Sequence, residues 1–249
     1  MNVIVTGGGT IAPIDDVRYI ANVSSGRFSA AITEACLRLG ANVWHVHTPS
    51  ALLPFERSAR FDLDSTNPEA EFERLKTIRS EFQSLRGRLN LVSLRPGRVV
   101  DYAEAMERLL TTIRIDVAFL AMAVSDYEPQ PVAGKIDSSG EDLLIPCKKT
   151  QKVIRLVREW SPNIYLAGFK LMSGVETPEL LRQAEQACRV NRADVTVANE
   201  LSKIREGRHT VHLVRPGHEF ETIGPSETLA DQVVERVFLF AKEKRRERK

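Results

Sequence analysis

The sequence predicts an α/β protein: a Rossmann-like, doubly wound and mostly parallel sheet with helices on both faces. Three observations predict it. Short apolar runs alternate along the chain with segments of helical periodicity. The first such run, NVIV at 2–5, leads straight into a glycine triplet, TGGGT at 6–10. The run IDVAFLAMAV at 115–124 is almost wholly apolar, as a central strand covered on both faces must be.

The elements follow in order. After NVIV and the glycines comes a long loop, IAPIDDVRYIANV, and then Ser24, Ser25 and Gly26, good cap and turn residues for a helix start. Ile32, Cys36 and Leu39 fall on one face of that helix. Gly40 ends it, and ANVWHVH at 41–47 is the next strand, completing a parallel β-α-β unit. Residues 48–66 read as irregular. Asn67 and Pro68 then open a helix with Leu75, Ile78 and Phe82 on one face, ending near Gly87. LNLVSL at 89–94 is a strand, and 100–113 a helix with Ala103, Met106 and Leu110 inward.

Beyond the 115–124 strand, SDYEPQPVAGKIDSSG at 125–140 reads as a working loop at a strand end. EDLLIPC at 141–147 is read as a returning strand and KKTQKVIRLVREW at 148–160 as a helix. NIYLAGFK at 163–170 is a buried strand, 177–191 a helix with Leu180, Ala184 and Ala187 inward, and ADVTVANE at 193–200 a strand with a polar end. HTVHLV at 209–214 alternates like an antiparallel edge strand. The last helix, about 226–245, carries Leu229, Val233, Val237 and Phe240 at helical spacing. No linker or repeat divides the chain, so a single domain over 1–249 is expected, with a solvated, frayed charged tail at 242–249.

Bulk properties narrow the function. The chain has 249 residues and a net charge of +2, which does not suggest a nucleic-acid surface. No apolar run reaches the ~18 residues of a membrane span. Cys36, Cys147 and Cys188 lack metal-ligand spacing, and the expectation is reduced thiols in a cytoplasmic protein. His45 and His47 alternate in the WHVH strand and, like His209, His212 and His218, form no metal set.

Four polar clusters sit at strand ends: the TGGGT loop, the VSDY loop, the GFK end and the VANE end. A parallel sheet collects such ends on one edge. Gly7, Gly8 and Gly9 allow close backbone approach to phosphate oxygens, and the helix start after Ser24, Ser25 and Gly26 offers free N–H groups to an anion. Each feature alone is an ordinary turn or cap about as often as a site; the joint placement carries the argument. A short-chain dehydrogenase would need a lysine four residues after its tyrosine. The positions four beyond Tyr19, Tyr102, Tyr127 and Tyr165 hold Val23, Met106, Pro131 and Phe169, so that chemistry is set aside.

On these residues the chain resembles the phosphopantothenoylcysteine synthetases. VTGGGTIAPIDDVRYIANVSSGR at 5–27, AMAVSDY at 121–127, KIDSSG at 135–140, AGFKL at 167–171 and DVTVANEL at 194–201 resemble the family's blocks in the family's order. KIDSSG and a long 50–95 region resemble the stand-alone, eukaryotic type. The resemblance implies a ligase of coenzyme A biosynthesis. In it the carboxylate of phosphopantothenate attacks the α-phosphate of ATP or CTP, and cysteine then captures the acyl-nucleotidylate. Magnesium (Mg2+) is implied, with unknown ligands; flavin is not, because the flavoprotein decarboxylase domain of fused members is missing. A homodimer is implied as well.

By the same resemblance Asn22 holds the acyl-nucleotidylate and Lys135 binds the triphosphate, while Met122, Asp126 and Phe169 line the base and sugar, with the glycine loop and the SSG turn completing the nucleotide site. The sequence departs from the pattern at Met122, Ser29 and Met172. The alternatives are therefore a ligase of the same fold for another carboxylate and amine, and a nucleotide-binding paralogue without catalysis.

Overall fold

The computed structural model describes residues 1–247; Arg248 and Lys249, the last two residues of the expected tail, lie outside them. The chain runs β1 (Asn2–Gly7), β2 (Ile11–Pro13), β3 (Tyr19–Ala21), α1 (Arg27–Arg38), β4 (Asn42–His47), α2 (Pro68–Leu85), β5 (Leu89–Ser93), α3 (Val99–Thr112), β6 (Val117–Leu120), β7 (Tyr127–Pro129), β8 (Cys147–Lys149), α4 (Val153–Trp160), β9 (Tyr165–Met172), α5 (Thr177–Asn191), β10 (Val195–Glu200), α6 (Leu201–Arg205), β11 (Val211–Val214), β12 (Glu221–Ile223) and α7 (Leu229–Glu247).

The central sheet has the order β12-β11-β10-β9-β6-β1-β4-β5. Its strands from β5 to β10 are parallel; β11 and β12 are antiparallel. Counting only the parallel strands in chain order, the arrangement is the doubly wound 3-2-1-4-5-6, whose order reverses between β1 and β6. Strand alternation sorts the core into two layers. Val3, Val5, Val117 and Phe119 face α1 and α7, where Ile32, Cys36, Val233 and Val237 are buried. Ile4, Ala118, Leu120 and Leu166 face α3 and α4, with Tyr102, Met106 and Val157. No described helix is long and apolar enough to cross a membrane.

Several expectations are corrected. The long loop after the glycines contains a hairpin, β2–β3. No side chain caps α1: Gly26, in the left-handed region at φ 73°, is the N-cap. Leu39 lies past the last turn of α1 and is 47% exposed, so it leaves the buried face. Residues 141–146 are not a strand; Cys147–Lys149 instead pairs with Tyr127–Pro129, which delays α4 to Val153. Ala187 is half-buried, and its neighbour Cys188 takes the inward position. Val211–Val214 is antiparallel as expected but is not the edge, because β12 covers it. The tail is not frayed where it is described. α7 continues to Glu247, with Lys244 paired to Asp194 and Arg245 to Asp116.

Candidate active site

The parallel register places the ends of β1, β6, β9 and β10 on one edge of the sheet, and the reversal between β1 and β6 marks the place where doubly wound sheets form their ligand crevice. The two flanking strand ends are stitched together. Gly9 bridges Ala123, with Ala123 N–H donating to Gly8 O (2.9 Å) and Thr10 N–H to Ala123 O (3.0 Å). The Thr6 and Thr10 hydroxyls accept from the Met122 and Ser125 amides at 3.2 and 2.9 Å.

Each glycine of the triplet is crowded by a different element. A Cβ on Gly7 would overlap the Ser29 hydroxyl of α1, one on Gly8 the Thr48 hydroxyl, and one on Gly9 the Asn22 carbonyl. Only Gly8 has positive φ, at 89°. A Cβ on Gly26 would press on Ala51 (3.0 Å) and Gly8 N (3.3 Å). Gly7, Gly8, Gly9, Asn22 and Gly26 therefore converge at the crevice with the start of α1. Ser25 joins them through the loop after β4, since its carbonyl accepts from Leu52 N–H at 2.9 Å. Ser24 precedes it half-buried.

Two buried polar atoms lie by this loop without a hydrogen-bond partner among the described residues: Thr48 Oγ1 and His45 Nε2. His45 Nδ1 and the Thr33 hydroxyl share a hydrogen bond of 2.8 Å. Burial first, then the neighbouring His47 ring, pushes its pKa down to about 3, so the ring is neutral.

The other predicted residues spread along the same edge. Phe169 meets Phe28 of the first α1 turn edge-on, with centroids 6.3 Å apart, and Phe28 in turn meets the His209 ring at 4.7 Å. Met122 contributes its backbone; its side chain is buried in the α3 layer rather than open to the crevice. Asp126 is exposed and paired with Lys152. Lys135 is exposed on the loop after β7, and its ammonium has no partner among the described residues.

The sequence placed Asn199 only within the polar VANE end and gave the acidic pair ahead of β3 no role. Asn199 is buried at the end of β10 and bonds His209 Nε2 at 3.1 Å. Asp15, Asp16 and Arg18, before β3, reach across to Gly134 and Ile136. A polar residue closing an apolar strand, and a double acid followed by arginine between glycines and a helix start, were the available signals. No three His, Cys, Asp or Glu side chains converge as a metal cage among the described residues.

Fold and edge together define a doubly wound α/β protein whose glycines and polar strand ends gather at its topological switch point. More narrowly, the chain belongs to the DNA/pantothenate metabolism flavoprotein C-terminal domain family, whose model matches residues 1–74 and 94–239. It is 31% identical to the coenzyme A biosynthesis bifunctional protein CoaBC of Thermococcus kodakarensis, over 88% of this chain and 45% of that one, so it spans under half that relative's length. It is 30% identical to phosphopantothenate–cysteine ligase 2 of Oryza sativa subsp. japonica, over 94% of this chain and 79% of the relative. A solved DNA/pantothenate metabolism flavoprotein from Streptococcus pneumoniae superposes with a TM-score of 0.76 at 28% identity, covering 96% and 99% of the two chains.

Proposed function

We propose that this chain is a cytoplasmic phosphopantothenate–cysteine ligase acting as a homodimer in coenzyme A biosynthesis. The observation that carries the reading is the convergence of the glycine triplet, Asn22 and the α1 start at the switch point, in a chain so similar to a ligase of that name. The N-terminus of a 12-residue helix favours an anion there.

In the first step a carboxylate oxygen of phosphopantothenate attacks the α-phosphorus of a nucleoside triphosphate, ATP or CTP, supplied with magnesium. The bond to the bridging oxygen breaks and pyrophosphate leaves. Lys135, exposed and unpaired, is suited to the negative charge gathering on the leaving group. In the second step the amine of cysteine attacks the acyl carbon and expels the nucleoside monophosphate. The Asn22 amide supplies a neutral donor to the anionic intermediate without adding a titrating group. Phe169, Phe28 and the Asn199–His209 pair give the base and sugar an aromatic wall with a polar end.

The test is pyrophosphate release from phosphopantothenate with magnesium and ATP or CTP, with and without cysteine. The expected result is release that requires phosphopantothenate, and amide product once cysteine is present. Lys135→Ala should slow release by about 100-fold or more, and Asn22→Asp should let the acyl-nucleotidylate accumulate. A folded chain that binds nucleotide but releases nothing is the paralogue alternative; release only with another acid is the different-substrate ligase.

A further inference from the structure

We propose that Asp15 and Asp16 are positioning residues for Lys135, clamping the peptides on either side of it so that its ammonium faces the triphosphate. The proposal rests on the ligase reading and adds to it two residues that act through the lysine.

The loop that carries Lys135 has little else to hold it. Residues 130–135 and 137–144 are exposed, and a Cβ on Gly134 would meet nothing. Such a segment has few apolar contacts with which to offset the entropy of ordering. Yet the two residues beside Lys135 are each bound on both backbone groups. Gly134 N–H donates to the Asp16 carboxylate at 3.0 Å, and Gly134 O accepts from Asp16 N–H at 3.0 Å. Ile136 N–H donates to the Asp15 carboxylate at 3.1 Å, and Ile136 O accepts from the Arg18 guanidinium at 2.9 Å. Val132 N–H donates to Ile14 O at 3.0 Å, extending the seam.

Asp15 is the centre of this arrangement. Its side chain is 0% exposed, and besides Ile136 it accepts from Val17 N–H (3.0 Å), Arg18 N–H (2.8 Å) and the Arg18 guanidinium (2.9 and 2.5 Å). Bonds to an ionised carboxylate are the strong kind. The Arg18 guanidinium, with the Ile136 amide and the turn amides, holds the carboxyl well below its ordinary range against the upward pull of burial. It thus stays charged wherever the protein works. The clamp joins residues more than a hundred positions apart and leaves the Lys135 ammonium without a partner among the described residues.

The experiment compares the wild-type chain with Asp16→Ala, at an exposed position outside the core, and Asp15→Asn, each alone and combined with Lys135→Ala. Amide exchange at 134–136 and the kcat and nucleotide KM of pyrophosphate release are read in each. Both single variants should speed exchange at 134–136 and lower kcat by roughly 10- to 100-fold, the scale of a ~1 Å misplacement. In the Lys135→Ala background neither should lower it further, because the group they position is gone. Unchanged release despite faster exchange would overturn the proposal, as would unchanged exchange. An equal further loss in the Lys135→Ala background would reduce the clamp to general stability and overturn it too. No release by the wild-type chain with either nucleotide would instead overturn the ligase reading, a failure visible before any variant is compared.

Discussion

Gly7, Gly8 and Gly9 serve the protein's own packing before any ligand arrives. The space a side chain would take on each is filled by Ser29, Thr48 or Asn22. The buried His45 lies behind them, with its Cε1 3.5 Å from where a Gly7 Cβ would stand. Its pKa is depressed from 6.5 to about 3. Between those values the unfolded chain binds a proton that the folded chain refuses, so stability falls as pH falls from about 6.5 toward about 3 and is independent of this group above that window. Each unit of the interval is worth roughly 1.4 kcal/mol. His45→Gln, which cannot take up that proton, should flatten the slope of unfolding free energy against pH over this interval. Urea titrations at several pH values check it, and an unchanged slope would place the dependence in other groups.

Among the elements, the loop between β4 and α2 reads as irregular from sequence, yet one side chain of α1 fixes it. Glu34 Oε1 accepts from Phe55 N–H at 2.7 Å and from Arg57 Nε at 2.9 Å, while Oε2 takes the other arm of Arg57 at 2.6 Å. The same loop delivers Thr48 and Ala51 to Gly8 and Gly26. Glu34→Gln should lower the unfolding free energy by roughly 1.5–3 kcal/mol, the scale of a lost charged hydrogen bond, and speed proteolysis at 53–60. A wild-type denaturation midpoint would contradict the role. The elements legible in the sequence were those whose own periodicity announces them. Val3, Val5 and Ile4 alternate between two layers, and Asn67 caps Ala70 N–H at 3.1 Å as the Asn-Pro pair suggested. The illegible ones depend on distant partners. Cys147–Lys149 is a strand because Tyr127–Pro129 lies beside it, which local helical periodicity at 148–160 could not reveal. In the site, the strand-end clusters were readable because parallel topology alone brings them to one edge. The grip of Asp15 on Ile136 was not, because nothing local to either loop encodes it.

At the scale of the whole molecule, the two ends of the sheet divide the work. The edge where the strands end gathers the glycine triplet, the Asn199–His209 pair and Lys135, whereas the opposite edge is closed by ionic anchors. Asp116, just before β6, accepts from Asn2 N–H at 2.9 Å and pairs with Arg245. Asp194, just before β10, accepts from Leu166 N–H at 2.7 Å, pairs with Arg158 at 2.6 Å and also holds Lys244. The basic end of α7 is thereby a clasp across the foot of the sheet, where sequence composition suggested a solvated tail. Arg158 and Asp194 are only 10% and 9% exposed, so removing one charge strands the other away from water. Asp194→Asn should therefore lower the unfolding free energy by roughly 3–5 kcal/mol. Because the foot lies at the end of the strands away from the crevice, pyrophosphate release by the folded fraction should stay within about twofold of wild type, well under the tenfold that 1.4 kcal/mol would bring. Denaturant midpoints measured beside initial rates decide the matter. A fully stable variant would deny the clasp, and a stable but inactive one would mean that the foot of the sheet is coupled to the site.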